Sequence, residues 1–154
     1  MSAELIFFGL FLIAFLFLKQ SDFLRKKNKK DGALYEEYIS DIYRKDGYSV
    51  IEHGKEQGVK DGGIDIIAKK EKELLFIQCK DWNIKNKYRI GKKEIQYTRM
   101  NVRDYIEKKP LYKSYDWKIV YITSDNILSK SALYIIKEHK DEISSRVLKM
   151  LSKY

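Results

Sequence analysis

The pattern of apolar and polar residues divides the chain into an apolar run, a charged tract and a longer mixed segment. Residues 5–18 are uncharged and consist almost wholly of Leu, Ile and Phe. The tract that follows is rich in Lys and Arg. Beyond it, apolar residues recur at the spacings of amphipathic helices and strands. The sequence therefore predicts three parts, which are residues 1–19, residues 20–31 and a single domain over residues 32–154.

Within the domain, the pattern predicts helices and strands in the order αβββαβα. Three segments repeat their apolar residues at helical spacing, and four are short, apolar and rich in β-branched or aromatic residues. The predicted helices cover residues 33–45, 95–106 and 128–150. The predicted strands cover residues 48–52, 64–68, 74–80 and 117–123, with a Gly-rich loop over residues 53–63. Helices around a run of strands predict an α/β fold with a mixed central sheet, in two or three layers.

Polar residues lie where two of the predicted strands meet. Side chains alternate between the faces of a strand, so Gln78 and Lys80 share one face at the end of the strand over residues 74–80. If the preceding strand pairs antiparallel to it through a turn at residues 69–72, the start of that strand lies opposite this end. We therefore expect Asp65 to lie near Gln78 and Lys80.

A carboxylate beside an ammonium group suits the hydrolysis of phosphodiesters. Asp65 offers oxygen atoms to a hard cation such as Mg²⁺, and Lys80 attracts phosphate or a developing oxyanion. A second acid could come from the first predicted helix, which contains Glu36 and Glu37. At about 100° per residue, Glu36 flanks the apolar stripe of that helix and Glu37 points to solvent. Glu36 is therefore the expected second acid.

The domain is basic even without the N-terminal segments. The chain has a formal charge of +9 and a pI of about 9.4. Residues 32–154 keep a charge of +6, because 25 of the 31 Lys and Arg but only 19 of the 22 Asp and Glu lie there. This charge suits a polyanionic partner, either nucleic acid or an anionic lipid surface. A single cysteine, Cys79, excludes an internal disulfide and a Cys-rich metal cluster, and we expect it to be an inert strand residue.

The N-terminal apolar run predicts an uncleaved membrane anchor. A helix of about 14 residues spans roughly 21 Å, less than the roughly 30 Å of hydrocarbon, but the residues before the run lengthen it. Glu4 precedes the run, and the sequence after it lacks a small-x-small cleavage pattern, which argues against a signal peptide. The basic residues lie only on the C-terminal side, so the positive-inside tendency places the domain in the cytoplasm. Residues 1–19 are thus expected to form a single-pass transmembrane helix.

Four ordered motifs of the domain resemble the Mrr-like restriction endonucleases of the PD-(D/E)xK nuclease superfamily. They are Gly32-Ala-Leu-Tyr35-Glu36, Asp61-Gly-Gly63-Ile-Asp65, Gln78-Cys79-Lys80, and Tyr121-Ile-Thr-Ser124 with Leu128-Ser129 and Ala132 after it. The resemblance covers most of the domain. It implies a restriction-endonuclease-like core and a Mg²⁺-dependent endodeoxyribonuclease of the type IV, Mrr-like restriction class.

The same resemblance implies a role for each residue of the site. Asp65 and the backbone carbonyl of Cys79 would coordinate Mg²⁺, and Glu36 would bind or orient the metal. Lys80 would position the attacking water. Gln78 replaces a carboxylate, so Glu36 would restore negative charge to the site. No small-molecule cofactor is expected, and a double-strand cut would need two domains on one duplex, as in a homodimer.

Cations alternate with aromatic residues between the central strands and the second predicted helix, a composition typical of nucleic-acid contact. These residues are Trp82, Lys85, Lys87, Tyr88, Arg89, Lys92 and Lys93. A solvated charged surface would have the same composition. Two alternatives to a nuclease therefore stay open. One is a membrane-tethered DNA-binding module of the same fold without catalysis, and the other is an interaction domain whose basic linker binds anionic lipid.

Overall fold

The computed structural model describes residues 3–57, 62–85 and 87–150, and within these ranges the side chains of residues 3–14, 25, 56 and 57 are not described. The chain divides into two compact units, Met1–Ala33 and Leu34–Tyr154. Helix α1 (Ala3–Lys45) begins in the first unit and ends in the second. The prediction that this helix begins at residue 33 is wrong, because residues 19–31 contain neither Gly nor Pro and are rich in Lys and Arg, which favour helix.

The described residues give no support to the predicted membrane anchor. Among them, no helix combines the length and the apolar character that are needed to cross a membrane. Most of the predicted anchor falls on residues 1–14, whose side chains lie outside the described part of the chain. The anchor therefore stays a prediction from the sequence.

A mixed sheet forms the centre of the second unit, as the sequence predicts, but it has five strands and not four. Its strands lie side by side in chain order; the second strand runs antiparallel to both of its neighbours, and the last three strands are parallel. They are β1 (Ser49–Ile51), β2 (Ile66–Lys70), β3 (Glu73–Lys80), β4 (Asp116–Thr123) and β5 (Ile143–Val147). The connections contain α2 (His53–Gln57), α3 (Lys92–Lys108), a 3₁₀ helix (Pro110–Ser114) and α4 (Lys130–Glu138).

Helices cover both faces of this sheet, and the alternation along β3 separates two cores. Leu74 and Phe76 pack in one core with residues of α3 and α4. Leu75 and Ile77 pack in the other core with Tyr35 and other residues of α1. The second unit is therefore a three-layer α/β arrangement. Since side chains alternate along β3, its last polar residues face the α3 side.

The C-terminal region differs from the prediction, because a strand follows the last helix. A single helix is expected over residues 128–150, but α4 ends at Glu138 and Ile143–Val147 forms β5. Ile143 and Val147 are four residues apart, which also fits a helix. Here, pairing with β4 decides the conformation: Ile119 lies opposite Ile143, and its N–H donates to the carbonyl of Glu142 at 2.7 Å.

The loop expected over residues 53–63 also differs from the prediction. Its first part is the short helix α2, and residues 58–61 lie outside the described part of the chain. The Gly54 N–H donates to the carbonyl of Asp65 at 2.9 Å. This bond holds the start of α2 against the residue that precedes β2.

Two tyrosine hydroxyls join α1 to the segment after β5. The buried Tyr35 donates to the carbonyl of Leu148 at 2.6 Å. Tyr38, which is less buried, donates to the carbonyl of Lys149 at 3.5 Å. The shorter and more buried bond is the stronger of the two, so Tyr35 contributes more to holding α1 in place.

We expect Tyr35→Phe to lower the free energy of unfolding by about 1 kcal/mol, because it removes this bond and leaves the carbonyl of Leu148 unpaired. Tyr38→Phe is the matched control and should change it by less than about 0.5 kcal/mol. Urea unfolding followed by circular dichroism measures both. Equal losses in the two variants would show that the Tyr35 hydroxyl has no special part in holding α1.

Candidate functional site

Asp65 and Gln78 face each other where β2 begins and β3 ends. Ile66 lies opposite Ile77, and the Asp65 N–H donates to the carbonyl of Ile77 at 2.9 Å. The Gln78 Nε2 atom donates to Asp65 Oδ2 at 2.5 Å, and the Cys79 N–H donates to the same oxygen at 2.6 Å. Asp65 and Gln78 are both buried. The expected proximity of Asp65 and Gln78 is therefore confirmed.

Three charged groups lie around Cys79 at this end of the sheet. Burial raises the pKa of the Cys79 thiol. The negative charges of Asp65 and Glu36 raise this pKa further, whereas the Lys80 ammonium lowers it. The helix acid, the strand acid and the lysine thus all affect the pKa of one thiol at the sheet end. A buried thiol with a raised pKa stays protonated, which fits the expectation that Cys79 is inert.

The two acids of α1 differ in exposure as the helix phase predicts. Glu36 is half-buried and Glu37 is exposed. Both acids raise the pKa of Lys55 on α2, although the main cause of that shift is the ion pair between Lys55 and Glu52. Glu36 therefore approaches the sheet end from α1, whereas Gln78 and Lys80 face α3.

The oxygen atoms at this sheet end suit a hard divalent cation. They belong to the carboxylates of Asp65 and Glu36 and to the carbonyl of Cys79, which lies 3.4 Å from the Nε2 atom of Gln78. Within the described ranges, no group of three or more His, Cys, Asp or Glu side chains forms a metal cluster. Mg²⁺ needs no such cluster, because one or two carboxylates, water and substrate phosphate commonly complete its shell. The residues present fit Mg²⁺ in that form.

Gly63 allows the chain to pass close to Gln78. Its φ is +79°, and a Cβ atom there would lie 2.8 Å from Thr98 Oγ1 and 2.9 Å from Gln78 Oε1. Any larger residue would be strained in this conformation and would collide with both side chains. The close approach of the chain to Gln78 and Thr98 thus explains why the residue before Ile64 and Asp65 is a glycine.

A cavity of about 180 Å³ opens beside Gln78 and Lys80. Its other walls include Trp82, Tyr97, Thr98 and Tyr121. Sequence analysis missed this cavity and its α3 residues. One signal was available, since Thr98 is a polar residue on the otherwise apolar stripe of α3 and is buried.

The predicted nucleic-acid segment adjoins the cavity. Its cations and Tyr88 are exposed, whereas Trp82 is partly buried against the core. The Arg89 guanidinium donates to the carbonyls of Tyr88 and Ile84 at 2.8 and 2.6 Å, so it folds back onto its own loop. Asp125 accepts from the Ile84 N–H at 2.9 Å, and this bond is the main cause that lowers the pKa of Asp125. The loop is therefore tied to the turn after β4, with its lysines at the surface.

Comparison with known proteins identifies the family. A family model described as restriction endonuclease, Mrr_cat, matches residues 28–144, which include Glu36, Asp65, Gln78 and Lys80. No curated protein and no solved structure matches the chain. Because the match covers well over half of the sequence, from α1 to the start of β5, the chain belongs to the Mrr family of restriction endonucleases.

Proposed function

We propose that the domain is a Mg²⁺-dependent endodeoxyribonuclease that hydrolyses phosphodiester bonds of DNA. The observation that supports this most directly is the pairing of Asp65 with Gln78 and the Cys79 N–H, next to Lys80. Membership of the restriction endonuclease family supports the interpretation of these residues as a site for phosphodiester hydrolysis. A structural role alone would not require a buried acid and a buried amide side by side at one end of the sheet.

Each residue of the site has a distinct task in this proposal. Asp65, Glu36 and the carbonyl of Cys79 would hold Mg²⁺, which when bound polarises a phosphoryl oxygen. Gln78 orients the Asp65 carboxylate through its amide N–H. Lys80 attracts the scissile phosphate, positions the attacking water and stabilises the charge that builds up on the phosphoryl oxygens.

The substrate is proposed from charge and family membership. The domain carries a formal charge of +6, and the lysines between β3 and α3 are exposed beside the site. Cations at such a surface neutralise phosphates without reading sequence. Restriction of modified DNA, the type IV activity, rests on the resemblance alone. A double-strand cut would bring two copies of the domain onto one duplex.

Asp65→Asn and Lys80→Ala are each expected to reduce plasmid nicking in Mg²⁺ by at least about 10²-fold, as removal of a group that stabilises charge in a transition state does. Lys118→Ala, at an exposed position on β4, is the matched control and should cut like the wild type. The assay measures the amounts of supercoiled, nicked and linear plasmid after incubation. Methylated and unmethylated plasmids are both used, and a reaction with EDTA is the negative control.

Unchanged nicking by both site variants would reject the assignment. A wild-type chain that retains DNA on a gel but cuts none with Mg²⁺ or Mn²⁺ would instead support the DNA-binding module.

Glu36→Gln should reduce nicking, whereas Glu37→Gln should leave it unchanged, because Glu36 is half-buried and affects the pKa of the Cys79 thiol, whereas Glu37 is exposed. The two variants remove the same charge from adjacent positions, so any general effect of charge on DNA binding cancels. Raising the Mg²⁺ concentration should partly restore the activity of Glu36→Gln if this acid binds the metal. Equal activity of the two variants would remove Glu36 from the site.

We also propose, from the sequence alone, that residues 1–19 anchor the domain in a membrane with the domain in the cytoplasm. The full chain should then stay with the membrane fraction after alkaline carbonate extraction, and a variant that lacks these residues should not. Immunoblots of both fractions measure this. Release of the full chain by carbonate would reject the anchor and leave the nuclease proposal untouched.

A further inference from the structure

Away from Lys80, the lining of the cavity suits an aromatic ring better than a phosphate. Three aromatic residues belong to its wall: Trp82, Tyr97 and Tyr121. Among the lining residues that the structure describes, Lys80 is the one cation, and Glu94 adds a carboxylate that repels phosphate. Phosphates bind to cations and N–H donors, whereas nucleobases stack on aromatic side chains. A phosphate therefore fits at Lys80, and the rest of the cavity suits a flat ring.

The size of the cavity limits the bound ligand to a single nucleobase. Its volume is about 180 Å³, and a cavity of about 150 Å³ in another protein binds benzene. One nucleobase can enter such a space from the open side, but a base pair cannot. Two buried polar residues, Gln78 and Thr98, also belong to the wall.

We propose that this cavity receives one unstacked nucleobase from the DNA strand whose phosphate lies at Lys80. The inference rests on the proposed nuclease function for the position of that phosphate. A base inside a duplex is paired and stacked, and it must be extruded before it can enter a pocket of this kind. The preferred substrate is thus single-stranded or locally opened DNA, and the base next to the scissile bond is the one that is bound.

Tyr97 is the residue that tests this proposal most cleanly. This residue lines the cavity from α3 and is 56% exposed, so removal of its side chain does not disrupt the core. Trp82 and Tyr121 also line the cavity but contribute to the core beneath it. Tyr134 on α4 provides a matched control, because it is 61% exposed and is not among the residues of the cavity wall.

The experiment measures binding of the full chain to a fluorescein-labelled single strand and to the same sequence as a duplex. Fluorescence anisotropy is recorded with Ca²⁺ in place of Mg²⁺, to separate binding from cleavage. The wild type should bind the single strand more tightly. Tyr97→Ala should weaken single-strand binding by about 5- to 150-fold, the range for loss of one base–aromatic stack, and leave duplex binding unchanged.

Two controls identify stacking as the cause. Tyr97→Phe keeps the ring and should restore single-strand binding, and Tyr134→Ala should bind both forms like the wild type. No loss with Tyr97→Ala, or an equal loss for single strand and duplex, would overturn the base pocket.

The two proposals can fail separately. If the wild type cleaves DNA with Mg²⁺ but binds single strands and duplexes equally well, the base-pocket proposal is rejected and the nuclease proposal stands. If the chain cuts no DNA but prefers single strands, and this preference depends on Tyr97, the nuclease proposal is rejected and the base-binding proposal stands.

Discussion

The buried carboxylate of Asp65 and its two donors form the constraint on which the site depends. An ionised carboxylate is costly to bury unless charge-assisted hydrogen bonds compensate it. The Gln78 amide and the Cys79 N–H provide such bonds to Oδ2 at 2.5 and 2.6 Å. A shift of the β2–β3 register by one residue would turn Gln78 toward α1 and remove one of these donors. The strand register and the charged site therefore stabilise each other.

The three-layer architecture explains why the charged residues meet at the end of the sheet and not on one of its faces. Each face is covered by its own apolar core, one with α1 and the other with α3 and α4. Glu36 belongs to the first side, and Lys80 lines the cavity on the second. The charges of both residues affect the pKa of the Cys79 thiol, which lies one residue before the end of β3. A reaction at this point can draw on residues from both layers.

The sequence predicts those parts of the site that follow from local periodicity. Strand alternation and a tight turn suffice to place Asp65 near Gln78, and helix phase distinguishes Glu36 from Glu37. The cavity wall could not be predicted in this way, because Tyr97 and Tyr121 lie on separate elements that meet only in the folded chain. The same reason explains β5: its helix-compatible spacing is overridden by pairing with β4. The early start of α1 was missed for a different reason, since the basic tract was interpreted by its charge and not by its helix propensity.

The neutral side chain of Gln78 has a physical consequence for the whole site. A carboxylate at this position would lie within hydrogen-bond distance of Asp65 Oδ2, and two such acids cannot both stay ionised at that separation. The amide avoids this conflict and donates a hydrogen bond to the buried Asp65 carboxylate. Asp65, Glu36 and Lys80 then carry one net negative charge, which the binding of a single Mg²⁺ would reverse. In the proposed enzyme, the metal-loaded site would therefore attract a phosphodiester.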